Sequence, residues 1–304
     1  MSLGKFDGVS ASSIGKLTSL NSSQVGKVAG GSADLGNTWA TVSGLNQGRG
    51  YPAGCGTVSA SLVFGGNAGS NLASTEKWSG TSWATTGALN TAVWAAAGCG
   101  SATAALCIGG GTAGYPNNGI SATEIWLGTS WSNTTASNYQ RYGFFACGTT
   151  SAAMAAGGTV EGASITNYND KWNGSSWATL PAVSYQVKWH AGFGNTSDAL
   201  LLGGYTTVPD TKTLKWNGTS WATTPALNTA RYAQTGTGVT SGGLSIAGAN
   251  SGGNDTNTVE KWSGTAWSTT SSLNVSRQGD ASSGDTSGAL VFGGNNLTST
   301  EKWS

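Results

Sequence analysis

The feature that most constrains the fold of this chain is a tryptophan pair that recurs at a fixed period. Each pair stands in a segment of the form W-x-G-T-x-W or W-x-G-S-x-W, in which the two tryptophans lie five residues apart. Successive pairs are separated by 44 to 48 residues. An internal period of this length is typical of repeat architectures, in which each repeat is one small unit that stacks on its neighbours. The complete segments lie at 76–83, 124–131, 170–177, 214–221 and 260–267.

Each repeat also contains a run of small and apolar residues that ends in Gly-Gly. Only the fifth repeat departs from this, with Ala247 in place of the first glycine. The repeats show no helical period and have Gly, Asn, Ser and Thr between the apolar runs, which predicts short strands. A glycine in the middle of W-x-G-T-x-W suits a tight hairpin, so the two tryptophans face each other across an antiparallel pair. The runs lie at 61–66, 105–110, 153–158, 199–204, 245–248 and 289–294.

Four short strands, called a to d, fit in each repeat, and four-stranded units repeated around an axis form a β-propeller. The last repeat, EKWS at 301–304, stops before its second tryptophan. Near the other end, the segment 36–49 carries Trp39 with the spacing to the following Leu and Arg that is found after Trp221. We therefore predict an all-β, six-bladed propeller over residues 34–304, in which the two chain ends share one blade and leave no open edge.

These repeats resemble those of the Kelch family. The features that carry the resemblance are the Gly-Gly that ends strand b, an acidic residue with an aromatic residue on strand c, and a Trp on strand d, over residues 36–304. The chain departs from the family in having Trp78 and its equivalents where Kelch repeats usually have Tyr. The resemblance implies a propeller fold; it implies the role of the cellular Kelch adaptors only weakly.

The first 33 residues do not follow the propeller pattern and have a period of their own. An apolar residue, Gly and Lys recur every eleven residues, at 3–5, 14–16 and 25–27, between Ser-rich spacers. One interpretation is a flexible low-complexity tail. The other is an arm, residues 1–33, that anchors the propeller to a partner. Such an arm before Ser-, Thr- and Gly-rich Kelch-like repeats resembles the structural proteins of tailed bacteriophage particles, which implies virion proteins as partners and a multimeric assembly.

Catalysis and metal binding have little support in the sequence. The chain has one histidine, His190, and therefore no HxH or HExxH spacing for a metal. A galactose-oxidase-like copper site needs two histidines. The acidic residues mostly occupy one repeated position on strand c, which favours a structural role. The four cysteines, Cys55, Cys99, Cys107 and Cys147, form no CxxC motif and are expected to be free and buried. We expect no enzyme activity, cofactor or metal.

Charge and hydropathy exclude two further classes of partner. The net charge is +1, from 14 basic and 13 acidic residues, which gives no electrostatic basis for binding nucleic acid or an anionic membrane. No stretch approaches the roughly 18 apolar residues needed to span a bilayer. The N-terminal segment MSLGKFDGVS lacks the apolar run of a secretory signal. We expect no nucleic-acid partner and no membrane insertion.

The candidate binding site is one mouth of the central channel, where strand a begins in each blade. The variable b–c loops, such as 111–123, are expected to open on the same face, and variable loops on a fixed scaffold commonly carry binding. The repeated tryptophans are expected to pack between blades, so the non-repeated aromatics are the sharper candidates. An arginine recurs just before them, and it either lines the mouth or pairs with the acidic residue of strand c. The candidates are Arg49, Tyr51, Trp94, Arg141, Tyr142, Trp189, Arg231, Tyr232 and Arg277.

These observations favour a non-enzymatic structural or interaction protein. We expect a phage virion component of the tail, baseplate or capsid surface, whose exposed face contacts a host-surface glycan or a neighbouring virion protein. The alternative is a free lectin-like propeller that binds carbohydrate, either secreted or cytosolic. The residue types at the mouth suit both glycans and acidic peptides, and the sequence does not decide between them.

Overall fold

The computed structural model describes residues 37–112 and 119–304. The described residues form 24 β-strands and one short 3₁₀ turn, Glu161–Ala163. The predicted arm at 1–33, residues 34–36 and part of the predicted loop at 111–123 lie outside them. No helix in the described part of the chain is long and apolar enough to cross a membrane.

The strands form six antiparallel sheets of four strands each, which confirms the predicted number of blades. Blades 1 and 2 are β2 (Ala53–Thr57), β3 (Ala60–Phe64), β4 (Thr75–Trp78), β5 (Trp83–Thr86), and β6 (Ala97–Gly100), β7 (Ala105–Ile108), β8 (Thr123–Trp126), β9 (Trp131–Thr134). Blades 3 and 4 are β10 (Phe145–Thr149), β11 (Ala152–Ala156), β12 (Asn169–Trp172), β13 (Trp177–Thr179), and β14 (Ala191–Gly194), β15 (Ala199–Leu202), β16 (Thr213–Trp216), β17 (Trp221–Thr224). Blades 5 and 6 are β18 (Thr235–Val239), β19 (Gly242–Ile246), β20 (Val259–Trp262), β21 (Trp267–Thr269), and β22 (Asp280–Asp285), β23 (Gly288–Gly293), β24 (Thr300–Trp303), β1 (Trp39–Val42).

The blades close into a ring through their innermost strands. Strands β2, β6, β10, β14, β18 and β22 contact one another in that order, and β22 contacts β2 again. Blade 6 is built from both ends of the chain, because β1 pairs with β24 in the register that places Trp39 opposite Trp303. The predicted closure is therefore confirmed.

The repeated tryptophans stabilise the blades and the contacts between them. In all six blades the strand-c Trp lies opposite the strand-d Trp, with ring centroids 5.3 to 5.5 Å apart. The strand-c Trp is buried, and its indole donates to a carbonyl of the a–b turn, as Trp78 does to Val58 at 3.1 Å. In blades 1, 2 and 5 the strand-d Trp donates to a threonine hydroxyl of the preceding blade, as Trp83 does to Thr300 at 3.0 Å. The expected structural role of these residues is confirmed.

A closed cycle of six peptide groups surrounds the channel axis just before each strand a. One residue per blade has a positive φ, and its N–H donates to the carbonyl of the equivalent residue in the preceding blade at 2.7 to 2.9 Å. Because each blade is tied to both neighbours, this cycle holds the mouth of the channel at a fixed geometry. The residues of this axial peptide ring are Tyr51, Ala95, Gly143, Trp189, Ala233 and Gly279.

Candidate functional site

Two of the six positions in the axial peptide ring carry large aromatic side chains. Tyr51 has a φ of 51° and Trp189 a φ of 55°, in the left-handed region that bulky residues rarely adopt. Each aromatic ring lies over a glycine of the preceding blade. A Cβ added at Gly143 would lie 2.9 Å from the Trp189 indole, and one at Gly279 would lie 2.8 Å from the Tyr51 ring. Ring and glycine are therefore matched across each of these two blade interfaces.

Four predicted aromatic residues meet over the axis and form what we call the aromatic cap, Tyr51, Trp94, Tyr142 and Trp189. Tyr51 and Trp189 come from opposite blades, yet their ring centroids are only 5.1 Å apart. Trp94 lies 5.7 Å from each of them, and Tyr142 lies 5.4 Å from Trp94. Tyr142 is buried, whereas the other three rings are partly exposed. Beneath the cap lies an axial cavity of about 80 Å³.

Two larger open cavities adjoin the cap, and Tyr51 and Trp94 line both. The amide cavity, about 400 Å³, lies on the side of blades 6 and 1. The lysine cavity, about 500 Å³, lies on the side of blades 4 and 5. The amide cavity is also lined by Gly50, Asn67, Asn71, Gln278, Asn295 and Asn296. The lysine cavity is also lined by Lys188, Trp189, Tyr205 and Tyr232.

The amide cavity is polar but uncharged along its lining. Asn67 donates its side-chain amide to Asn71 at 3.1 Å, and Asn71 donates to the carbonyl of Gly111 at 3.2 Å. Asn295 donates to the carboxylate of Asp255, which places a negative charge next to this cavity. The side-chain amides of Asn67, Asn71 and Asn295 are thus held in position, and the lining offers both donors and acceptors to a ligand.

The lysine cavity combines one cation with aromatic walls. The Lys188 ammonium lies 5.6 Å from the centroid of the Tyr205 ring, within the range of a cation–π contact. Tyr205 packs edge to face with Tyr232 at 5.3 Å. Within residues 37–112 and 119–304, no carboxylate lies within ion-pair distance of Lys188. The lysine charge is therefore available to a ligand.

The four predicted arginines do not face the mouth. They are buried, and each guanidinium forms an ion pair of 2.5 to 2.8 Å with the acidic residue of strand c in its own blade. Burial lowers the pKa of Arg141 to about 10, although Asp170 opposes that shift. Of the two roles considered for these residues, pairing with strand c is the one observed. The pairs are Arg49–Glu76, Arg141–Asp170, Arg231–Glu260 and Arg277–Glu301.

The structure thus brings together the predicted aromatics, with four in the cap and Tyr232 in the lysine cavity, and separates the arginines from them. Sequence reasoning missed Lys188, Tyr205 and the amide residues. Some of them could have been found from the repeat, because the residue that follows Gly-Gly bridges to the residue that precedes the axial peptide ring in the same blade. Asn67 bridges to Gly50 in this way, and Tyr205 bridges to Lys188.

The layer below the cap contains buried titratable groups. His190 donates its Nε2–H to the Ala156 carbonyl at 3.0 Å, and burial lowers its pKa to about 3, so the imidazole is neutral. Asp280 is buried, and neither carboxyl oxygen has a hydrogen bond to another described residue. Burial raises its pKa to about 7. At the equivalent place in blade 5, Gln234 donates to the carbonyl of Leu202 at 2.9 Å.

The four cysteines are free and buried, as expected. Burial raises the pKa of each thiol, to about 12 for Cys99. In the described segments, no group of three or more His, Cys, Asp or Glu side chains is placed to hold a metal ion.

No protein-family model matches the sequence, and no curated protein matches it. The functional argument therefore rests on the chemistry of the mouth. Partly exposed aromatic faces, oriented amides and the Lys188 ammonium converge there within two cavities of ligand size.

Proposed function

We propose that this chain is a non-enzymatic, Kelch-like propeller that binds carbohydrate at its channel mouth and is displayed on a tailed-phage particle. Residues 1–33 attach it to other virion proteins, so that it belongs to a multimeric assembly and contacts a host-surface glycan. The observation that carries the binding role is the placement of Tyr51 and Trp189 on positive-φ backbone at the centre of the mouth.

Backbone strain at these two positions supports a ligand-binding role. A non-glycine residue in a sparsely populated backbone region costs about 1 to 3 kcal/mol, and such residues cluster at ligand clamps and active sites. The equivalent positions in blades 3 and 6 are Gly143 and Gly279, which adopt the same conformation without that cost, and those in blades 2 and 5 are Ala95 and Ala233. Tyr51 and Trp189 therefore differ from the other four positions in placing an aromatic side chain on this backbone. A purely structural ring has no need of the two aromatic side chains, whereas a binding surface does.

The chemistry of the mouth suits a sugar. Aromatic rings such as Tyr51 and Trp94 offer flat apolar faces for the C–H face of a pyranose, and side-chain amides pair with hydroxyl groups. Ligand cavities are commonly about 300 to 1,000 Å³ and combine aromatic walls with a few placed polar groups. The two cavities, at about 400 and 500 Å³, fall within that range.

The non-enzymatic part of the proposal is supported by the state of the groups that catalysis would need. His190 is held neutral against a backbone carbonyl. The strand-c carboxylates Glu76, Asp170, Glu260 and Glu301 are engaged in ion pairs away from the two cavities. The Gly-Gly, acidic and tryptophan positions of the repeats support the Kelch-like assignment.

A glycan-array screen of the full-length protein tests the binding role. We expect binding that Trp94→Ala abolishes, because Trp94 lines both cavities. Tyr168→Ala is a matched control, since Tyr168 is an exposed aromatic outside both cavities. Equal binding by Trp94→Ala and the parent, with thermal stability unchanged, would contradict the proposed site.

The free lectin-like module is the second candidate, favoured by the observation that Thr38–Ser304 forms a compact unit by itself. The two candidates share the mouth and differ in the role of residues 1–33. Deletion of residues 2–33 is expected to leave glycan binding intact and to abolish incorporation into particles, as measured by mass spectrometry of purified virions. Normal incorporation of the truncated chain would contradict the anchoring role.

A further inference from the structure

The two cavities at the mouth share the Tyr51 and Trp94 walls but differ in charge. The lysine cavity contains the Lys188 ammonium, which has no counter-ion among the described residues. The amide cavity has neutral amides along its lining and the carboxylate of Asp255 beside it. An extended ligand that covers both cavities therefore meets a positive group on one side of the cap and a neutral to negative environment on the other.

We infer that the ligand is an acidic oligosaccharide, in which an anionic sugar contacts Lys188 and a neighbouring neutral sugar occupies the amide cavity. This inference rests on the proposed carbohydrate-binding function and adds the ligand's charge and orientation. The anionic group is a carboxylate, sulfate or phosphate, since a lysine ammonium pairs with each of these as a point charge.

The state of Lys188 sets it apart from the neighbouring lysines of blade 4. Lys212 forms an ion pair with Asp210 at 2.8 Å, and Lys215 lies 3.5 Å from Asp198. Lys188 instead lies against the face of Tyr205, which holds the ammonium over an aromatic wall without neutralising it. A partly desolvated cation that is not already ion-paired attracts an anion more strongly than a fully solvated one.

An acidic peptide is a poorer fit to the same charge. Peptides that bind by strand addition need an exposed strand edge. The backbone at the mouth is already paired, since Lys188 bridges to Tyr205 and Tyr232 bridges to Ala249. The recognition groups left at the mouth are ring faces, side-chain amides and one ammonium, which match a sugar better than a peptide backbone.

The test uses the full-length protein and a panel of tetrasaccharides in which uronate and neutral sugars alternate. Each is paired with its methyl ester, which removes the charge and keeps the shape, and with a sulfated analogue. By isothermal titration calorimetry we expect an acidic member to bind about tenfold or more tightly than its ester, because a hydrogen bond to a charged group is the stronger contact. The comparison with the sulfated analogue identifies which anion is preferred.

Variants of Lys188 separate this inference from the proposed function. Lys188→Gln is expected to remove the preference, so that acid and ester bind with equal affinity, while Lys188→Arg retains the preference. Lys171→Gln is the control, since Lys171 is exposed and lies outside both cavities.

Equal binding of acid and ester by the parent protein would overturn the inference and leave the carbohydrate role standing. Absence of binding to every member of the panel and to the glycan array would overturn both. Tighter binding of poly-glutamate than of any acidic saccharide would overturn the inference in favour of a peptide ligand.

Discussion

Replacement of Asp280 by asparagine is expected to stabilise the propeller in neutral and basic solution. Asp280 is buried with no hydrogen bond from its carboxyl oxygens to another described residue, and burial raises its pKa to about 7. In the unfolded chain an aspartate has a pKa of about 3.9. Because the pKa is higher in the folded state, folding is favoured by the proton. This contribution is complete below about pH 4 and is lost as the pH rises towards 7.

The size of the effect follows from the two pKa values. A difference of about 3 units at about 1.4 kcal/mol per unit gives an upper limit of about 4 kcal/mol. The asparagine side chain carries no charge and can donate its amide as Gln234 does at the equivalent place. We therefore expect Asp280→Asn to raise the free energy of unfolding by about 2 to 4 kcal/mol at about pH 8, and by much less at about pH 4.

Urea denaturation of parent and variant at several pH values measures this difference. The comparison at each pH removes the contribution of the other carboxylates. Asp285→Asn is the matched control, because Asp285 lies on the same strand, is exposed, and has a pKa lowered by hydrogen bonds from Ser287. A gain for Asp280→Asn that is equal at both ends of the pH range would refute the reasoning, since packing and not ionisation would then be the cause.

Two further predictions concern the ring and its ion pairs. Gly143→Ala should destabilise the protein by about 1 to 3 kcal/mol and reduce glycan binding, because its Cβ meets the Trp189 indole. Gly162→Ala, also at positive φ but with open space around it and outside both cavities, should keep binding. In thermal and urea unfolding, Glu301→Gln should cost about 3 to 5 kcal/mol by leaving Arg277 buried without its counter-charge. The double variant Arg277→Val with Glu301→Leu should cost less free energy of unfolding than Arg277→Val alone plus Glu301→Leu alone. Additive costs would contradict the pairing.

The second of these predictions has a natural counterpart in blade 4. There the arginine position is Val187, the acidic position is Leu214, and the two belong to one apolar cluster. Blade 2 keeps its acid without an arginine, and Glu124 accepts from the backbone N–H groups of Asn90 and Thr91 at 2.8 and 2.9 Å. Glu76, Glu260 and Glu301 accept from the equivalent backbone N–H groups in addition to their arginines. The strand-c acid therefore also fixes the loop that enters from the preceding blade.

The fold could be predicted from the sequence because its main determinants repeat. The spacing within each tryptophan pair encodes the c–d hairpin. The spacing after Trp39 reveals that the N-terminal strand completes the last blade, which the register opposite Trp303 confirms. Such patterns can be interpreted because they repeat. A position that holds the same residue type in all six repeats indicates a structural role common to all six blades.

The mouth was only partly predictable, because its residues differ from blade to blade. The aromatics Tyr51, Trp94 and Trp189 stand out as exceptions to the repeat. Lys188 and Tyr205 are not exceptions of that kind. Only their places before the axial peptide ring and after Gly-Gly, which bridge in other blades as well, indicate that they lie together. The arginines are ambiguous in the sequence, because a repeated cation at the start of strand a can face either the channel or the blade interior.

The most direct test of the account is an NMR titration of the tryptophan indole N–H groups with the saccharide that the calorimetry selects. The chain has 14 tryptophans, of which six pairs lie within the blades and Trp94 and Trp189 lie in the aromatic cap. The account predicts that at saturation the indole signals of Trp94 and Trp189 shift while those of the paired tryptophans stay in place. Saturable binding that shifts the paired tryptophans and leaves Trp94 and Trp189 unmoved would contradict it.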